Sequence, residues 1–370
     1  MSPARRAEMP IPLRSRPSPM ALHFAVAIGV LIVYACLHPF TGWRDPGLPL
    51  LDFLTAPWPR YYSQTDLIVN VLGFVPFSFA LVPALGGRLR PGGAVCMAVV
   101  IAGLLSLGLE TLQNFLPSRV PSNVDLGCNA LGGLIGALAG ARWGAPLFDT
   151  RGALARWRTR RIVAGHVGEA GMVLMGLWLL TLLTPESLLF ATGDLRRLFD
   201  LPTPIPFNPQ RFVKVEAAIA ASQLVAVGLT ARCMMRSPSP FPILLLVLLG
   251  LGAKSLAAGM FFSPGDPFHW ATPGGQIGIA AGAALLTACL ILPRRLHAVL
   301  AGLALLVGTA LVNLAPENPF LPNDTLLALR GNLLNFHGLT SLAASLWPFL
   351  AFLYLGLLGG RSGRDGAGPH

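Results

Sequence analysis

Charged residues are scarce in this sequence of 370 residues, at 12% against about 25% in a typical soluble domain. Lysine is almost missing, since Lys214 and Lys254 are its two occurrences and the other basic residues are arginines. A soluble chain of this size would coat its core with lysine and glutamate, so the composition excludes an ordinary water-soluble fold. The mean hydropathy of +0.63 indicates that lipid covers most of the surface.

The motifs of several enzyme and metal-binding classes are also missing. The cysteines show no CxxC or Cys/His spacing, which argues against a zinc site or a disulfide framework. No H-E-x-x-H, G-x-S-x-G or Walker sequence is present, so a zinc protease, a nucleophile-elbow hydrolase and a self-contained ATPase have no support. We therefore expect no metal and no cofactor, and the sequence favours a non-enzymatic protein while leaving the question of enzymatic activity open.

The net charge of +11 reports topology rather than nucleic-acid binding. The arginines sit in short runs between apolar stretches, which is the positive-inside pattern of membrane proteins and not a binding face. Basic residues are concentrated before the first apolar stretch and then in every second loop. This bias predicts that both the N-terminus and the C-terminus lie in the cytoplasm.

Apolar runs long enough to cross a bilayer recur along the whole chain. A spanning helix needs about 20 mostly apolar residues, and the alternating pattern of barrel strands is absent. We therefore predict an all-α polytopic membrane protein with about ten transmembrane helices. The predicted segments are 20–39, 66–85, 93–115, 125–143, 162–184, 213–232, 241–262, 275–292, 297–314 and 340–358.

The densest arginine-rich loop, residues 142–161, separates the fourth and fifth predicted helices. We place a unit boundary there, which gives a four-helix unit (1–161) and a six-helix unit (162–370). The predicted outer loops 40–65, 185–212 and 315–339 are rich in proline, and stretches such as residues 201–207 should be extended rather than helical. Polar and aromatic residues within 316–337 suggest either a lid over an outer site or a re-entrant or amphipathic segment, and we favour the second.

Two predicted helices open with the same pattern, D-L-x-x-N-x-L-G, at Asp66 and Asn70 and again at Asp125 and Asn129. The Asp and Asn of each repeat are four residues apart and share a helix face. The helix between them carries Glu110 and Gln113 near its outer end, and Arg119 follows in a short loop. Short loops make these helices neighbours, so we predict one polar cluster in the outer third of the membrane. Its members are Asp66, Asn70, Glu110, Gln113, Arg119, Asp125 and Asn129.

A simpler interpretation explains part of this pattern. Asp66 and Asp125 lie at helix starts, where aspartate caps the helix and faces the positive end of its dipole. The asparagines could serve only as hydrogen-bonding residues between helices. Capping does not explain Glu110, however, and ionisable groups inside a bilayer are costly and mark functional sites. We therefore favour a shared functional site.

The second half of the chain offers a weaker candidate. Lys254 lies within a predicted spanning helix, and Glu216 lies near the outer end of the preceding one. We predict an intramembrane pair between Lys254 and Glu216. The alternative is that the lysine side chain extends to the membrane surface.

The run Asp66…Asn70, Glu110-x-x-Gln113-x-Phe115-x-x-x-Arg119, Asp125-x-x-x-Asn129-x-x-Gly132 strongly resembles the signature of the VanZ-like family over residues 20–145. The resemblance implies a four-helix membrane module. A family member is associated with low-level resistance to the glycopeptide teicoplanin, so a role in the bacterial cell envelope is expected. The resemblance does not reach residues 162–370.

Together these features predict a multi-pass protein of the bacterial inner membrane. Its expected partners are membrane lipids and a cell-wall precursor or lipid-linked glycan, and not nucleic acid. Arg119 would contact a phosphate or carboxylate, and the three carboxylates would orient polar or amine groups. The alternatives are a transporter or flippase of a lipid or envelope precursor, an enzyme using the carboxylates for acid–base chemistry, and a membrane scaffold.

Overall fold

The computed structural model of the protein describes residues 18–37, 40, 42–47, 49–58, 64–149, 152–184, 187–199, 201, 204–259, 266–316 and 337–365. Within these ranges the fold is all-helical and contains no strands, which confirms the predicted fold class. Most of the segment 316–337, predicted as a lid or re-entrant element, lies outside the described residues.

All ten predicted segments coincide with apolar helices, of which eight are long enough to cross a membrane. The ten are α1 (Pro19–Leu37), α2 (Gln64–Leu85), α3 (Pro91–Gln113), α4 (Asn123–Phe148), α6 (His166–Thr181), α8 (Pro209–Met234), α9 (Phe241–Ala257), α10 (Pro273–Ile291), α11 (Arg294–Leu314) and α12 (His337–Asp365). Shorter elements are the 3-10 turn Asp52–Leu54, α5 (Ala153–Arg161) and α7 (Leu195–Phe199). The orientation with both termini inside stays a prediction.

Two helices, α6 and α9, are shorter than a full membrane span. They contain 16 and 17 residues. At 1.5 Å per residue this corresponds to about 24 and 26 Å, against a hydrocarbon thickness of about 30 Å. A membrane crossing at α6 or α9 would therefore need further chain segments to complete it.

The chain divides into two compact units, Met1–Trp157 (unit 1) and Arg158–His370 (unit 2). Unit 1 contains α1 to α4, and unit 2 contains α6 to α12. The sequence-based division into domains 1–161 and 162–370 remains a prediction, because compactness alone does not define a functional domain.

Unit 1 is built on direct backbone contact between α2 and α4. A Cβ atom on Gly132 would lie 2.1 Å from the carbonyl oxygen of Val71, and one on Gly136 would lie 2.2 Å from that of Val75. Gly140 repeats this contact one turn further along. Only glycine permits such an approach, which is the small-xxx-small packing of membrane helices. Contacts advance together along both helices, so α2 and α4 are parallel.

Helices α1 and α3 run in the opposite direction to α2 and α4. The Gln113 side chain, at the end of α3, donates a hydrogen bond to the carbonyl of Cys36 at the end of α1 (3.0 Å). At the other end of the unit, the Ser18 hydroxyl before α1 donates to the carbonyl of Phe148, the last residue of α4 (2.6 Å). One end of unit 1 therefore collects the starts of α2 and α4 and the ends of α1 and α3. We call it the polar end.

In unit 2 the other helices pack around α8, which is buried on most of its faces. After α6 the chain leaves helical geometry, and the segment 182–194 (described except for 185 and 186) passes through the interior of the unit, with Leu182, Leu189 and Phe190 fully buried. Irregular backbone is tolerated in a membrane protein where other protein covers it.

Candidate functional site

Two hydrogen bonds join α3 to α4 at the polar end of unit 1. The Asn129 side-chain amide donates to the hydroxyl of Ser106 (2.9 Å), and the backbone N–H of Ser122 donates to Oε2 of Glu110 (2.9 Å). Ser106 and Glu110 are four residues apart, so they lie on one face of α3. Glu110 and Asn129 are each 3% exposed. The sequence therefore places a carboxyl and an amide inside the helix bundle.

Ser122 is the N-cap of α4. Its hydroxyl accepts from the backbone N–H groups of Val124 (3.2 Å) and Asp125 (3.4 Å). In a capping box, the residue at the position of Asp125 would accept the N–H of the cap residue. Here Glu110 from α3 accepts that N–H instead. The interpretation of Asp125 as the cap is thus wrong, and its carboxylate is left available for another contact.

Asp125 connects α4 to α2. Its Oδ1 accepts a hydrogen bond from the side-chain amide of Asn70 (2.8 Å). Asp66 lies in the first turn of α2, and its charge acts on Asp125. The charge of Asp125 in turn acts on Glu110. Asp125 therefore lies within electrostatic reach of both other carboxyl groups, and four of the predicted cluster members (Asp66, Asn70, Glu110 and Asp125) are brought together.

Arg119 lies in the turn between α3 and α4, outside the spanning helices. Its backbone N–H donates to the carbonyl of Leu116 (2.9 Å), and its side chain is half-buried. Burial lowers the pKa of the Arg119 guanidinium from its ordinary value, because removal from water disfavours the charged form. Its charge acts on Cys36, as do those of Glu110 and Asp125. The guanidinium thus lies at the polar end with the carboxyl groups.

Gln113 has a structural contact, since its amide holds the end of α1 through the carbonyl of Cys36. Asn129 is different. Its Oδ1 is buried and has no hydrogen-bond partner among the residues that the structure describes. A buried acceptor without a donor is costly, and such an atom calls for a water molecule or a ligand.

The described part of the connection between α1 and α2 (residues 42–47 and 49–58) lies over the turn between α3 and α4. The backbone N–H of Arg44 donates to the carbonyl of Phe115 (2.9 Å). The side-chain amides of Asn114 and Asn123 donate to the carbonyls of Leu50 and Ala56, each at 2.8 Å. We call this element the covering segment. It closes one side of the polar end.

Sequence reasoning missed four residues of this arrangement: Ser106, Asn114, Ser122 and Asn123. Ser122 carried a usable signal, because it precedes α4 in an S-x-x-D pattern typical of a helix start. The two asparagines and Ser106 gave no signal, since their partners come from elements remote in sequence.

In unit 2, Lys254 is 1% exposed, which excludes the alternative of a side chain that extends to the surface. Its ammonium donates to the carbonyls of Thr184 (2.6 Å) and Ser187 (2.7 Å) in the buried irregular segment. The Glu216 carboxylate accepts from the hydroxyl of Thr272 (2.7 Å). These contacts do not test the predicted pair between Lys254 and Glu216, which remains a prediction. No group of three or more His, Cys, Asp or Glu residues within the described ranges could hold a metal ion.

Comparison with known proteins identifies a family for the N-terminal part of the chain. Residues 20–143 match the sequence model of the VanZ/LLP1 family, which confirms the resemblance seen in the sequence. The match covers α1 to α3 and most of α4, and unit 2 lies outside it. No curated protein and no solved structure matches the chain.

Proposed function

Because the chain is a VanZ-like protein with multiple membrane helices, we propose that it serves the bacterial cell envelope from the inner membrane. It binds a cell-wall precursor or lipid-linked glycan intermediate at the polar end of unit 1, which in the predicted orientation lies in the outer leaflet. The family association with low-level teicoplanin resistance supports an envelope role.

A single observation carries this proposal. Helices α2, α3 and α4 bring the partly buried Asp66 and Asp125 together with the buried Glu110 and the unpartnered Oδ1 of Asn129 at the polar end of the bundle. Ser122 caps α4 with Glu110 accepting its N–H, and α2–α4 packing relies on the glycines, so neither role accounts for Asp125 or for the unpartnered oxygen of Asn129. Charged and orphaned polar groups that neither role requires are costly in a membrane and are typical of a binding site.

The groups at this site divide into two chemical classes. The Arg119 guanidinium suits a phosphate or carboxylate. Asp66, Glu110 and Asp125 orient polar or amine groups of the ligand. Asn70 positions Asp125, and Asn129 offers its free oxygen, whereas Gln113 is used to hold α1.

Complementation of a deletion strain tests the proposal, with envelope stress and glycopeptide susceptibility as readouts. Glu110→Gln, Arg119→Ala and Asp125→Asn are compared with wild type at equal membrane levels. Glu169→Gln is the control, because this half-exposed carboxylate belongs to unit 2 and pairs with Arg158. Loss of complementation in the three variants and not in the control is expected. Full complementation by all of them would reject the site.

A second candidate function, transport or flipping of a lipid or envelope precursor, is favoured by the buried irregular segment of unit 2. Transporters place binding sites where helices are interrupted, and carbonyl groups at such breaks bind cations. Here the ammonium of Lys254 binds those carbonyls. Movement of a fluorescent lipid or precursor across the bilayer of proteoliposomes that contain the protein would support this function. If no movement occurs while the wild-type protein still complements the deletion strain, transport is rejected and a binding protein or a scaffold remains.

A further inference from the structure

We propose that the ligand group held at the polar end of unit 1 is the primary ammonium of a zwitterionic membrane lipid, such as a phosphoethanolamine headgroup, with the lipid phosphate against Arg119. This inference rests on the proposed function and deepens it by naming the ligand chemistry. It follows from the hydrogen-bonding capacity that the site leaves unused.

On Asp125, Glu110 and Asn129 the unused capacity consists of acceptors. Asp125 uses Oδ1 for Asn70, and Glu110 uses Oε2 for the Ser122 N–H, and the described residues supply no donor to the second oxygen of either group. Asn129 adds its buried and unpartnered Oδ1. The amide of Asn129 is turned toward Ser106, so this oxygen is the end of the side chain left for a ligand.

These acceptors are held close together by the helix geometry. Asp125 and Asn129 are one turn apart on a single face of α4, and Glu110 is tied to the start of the same helix through Ser122. Since all three residues belong to one hydrogen-bonded corner of α3 and α4, the proposal places a single small group between them. The remaining carboxylate, Asp66, adds negative charge from α2.

A primary ammonium group matches the number of unused acceptors and is opposite in charge to the carboxylates. It carries three donors and no acceptor. A hydroxyl supplies one donor and no charge, and a quaternary ammonium supplies charge and no N–H donor. Three carboxyl groups against one guanidinium also favour a cationic group at the acceptors. The guanidinium in turn favours an anionic group nearby, and phosphate is the group that arginine binds in bidentate fashion.

The surroundings of the site favour a membrane lipid as the source of this zwitterion. Trp58 of the covering segment is 77% exposed and Val120, next to Arg119, is 84% exposed. Leu50 and Trp43 are also exposed. Tryptophan is enriched at the membrane–water boundary, so these side chains place the polar end at headgroup level. A headgroup reaches the site from the membrane itself.

Native mass spectrometry of the full chain, released from nanodiscs, tests the inference. Nanodiscs contain equal amounts of phosphatidylethanolamine, phosphatidylcholine and phosphatidylglycerol of the same acyl chains. We expect retained phosphatidylethanolamine to exceed phosphatidylcholine by roughly tenfold, because the quaternary group keeps the charge and loses charge-assisted N–H donors. Asp125→Asn should abolish this preference and Glu169→Gln should retain it. Thermal midpoints of the purified variants confirm that each is folded.

Other results would overturn the inference in distinct ways. Equal retention of phosphatidylethanolamine and phosphatidylcholine would show that the site does not recognise the N–H donors of the ammonium. Preferred retention of phosphatidylglycerol would show that binding depends on the lipid's negative charge at Arg119 and not on an ammonium. Displacement of the bound lipid by micromolar O-phosphoethanolamine would assign the site to a soluble ligand. If these results came with loss of complementation in Asp125→Asn, the proposed function would stand with a different ligand. If complementation were intact, both would fail.

Discussion

The close contact between α2 and α4 predicts opposite effects for the same substitution at the two equivalent glycines of the D-L-x-x-N-x-L-G repeat. In Gly132→Ala, the new Cβ would lie 2.1 Å from the carbonyl oxygen of Val71, whereas ordinary van der Waals contact begins at 3.4 Å. The obstacle is backbone, which cannot rotate away as a side chain does. In Gly73→Ala, the new Cβ would meet nothing within 4 Å.

The expected magnitudes follow from these distances. Overpacking that forces backbone shifts costs about 1–3 kcal/mol, and Gly132→Ala belongs at the upper end because α4 must move away from α2. Gly73→Ala should instead stabilise α2 by about 0.5–1 kcal/mol, since alanine loses less backbone entropy than glycine in a helix. A change of 1 kcal/mol shifts the thermal midpoint by about 2–4 °C for a domain of this size.

Thermal unfolding of the purified protein in one detergent, followed by intrinsic fluorescence, measures the difference. Gly132→Ala should lower the midpoint by several degrees, and Gly73→Ala should leave it unchanged or raise it. Equal midpoints for the two variants would refute the parallel glycine-mediated packing. So would a larger loss for Gly73→Ala.

Three further predictions concern individual contacts. Ser122→Ala removes the hydroxyl that caps α4, so unfolding of unit 1 should become easier by about 1 kcal/mol, seen as a lower thermal midpoint. Lys254→Met leaves two buried carbonyls without the donor that they have in the wild type, so it should destabilise unit 2 by roughly 1–3 kcal/mol. Faster proteolysis of the irregular segment would report this loss. Lys214→Met, at an exposed position, is the control and should have no effect. Gly193→Ala should destabilise the unit by at least about 1 kcal/mol in the same assay, because φ is +85° there and the new Cβ would lie 2.8 Å from a methyl group of Thr309; an unchanged midpoint would contradict the close packing of this segment.

Much of the helical architecture could be predicted because bilayer thickness and backbone hydrogen bonding leave little choice. Long apolar runs must form helices, and all ten were found. The shortness of α6 and α9 was not predicted. Apolar residues continue past the end of α6 into the irregular segment, and hydropathy does not distinguish a buried loop from a helix.

The sequence predicted which residues form the polar cluster better than it predicted the hydrogen bonds between them. The repeated Asp and Asn at four-residue spacing indicated one helix face, and Asp66, Asn70, Glu110 and Asp125 do lie together. The bond from the Ser122 N–H to Glu110 was not predictable, because it depends on the path of the turn between α3 and α4. Almost every residue carries the same backbone N–H and carbonyl groups, so the sequence does not indicate which of them accepts or donates a tertiary hydrogen bond.

Lys254 illustrates the same limit. The sequence suggested a carboxylate as the partner of an intramembrane ammonium, since charge pairing is the commonest solution. Among the contacts that the structure describes, the ammonium donates to backbone carbonyls of the irregular segment, and the pair with Glu216 stays a prediction. Any residue type supplies a carbonyl, so no sequence pattern could indicate this contact.

The polar end of unit 1 is proposed to bind a ligand and not merely to pack helices together. Asp125→Asn separates these two roles, because asparagine keeps the size of the side chain and an oxygen for Asn70 while removing the negative charge. Complementation and the thermal midpoint are measured on the same membranes. If the polar end binds a ligand, we expect lost complementation with a midpoint close to that of wild type. Full complementation at equal membrane levels would show that the charge of Asp125 is not needed for function.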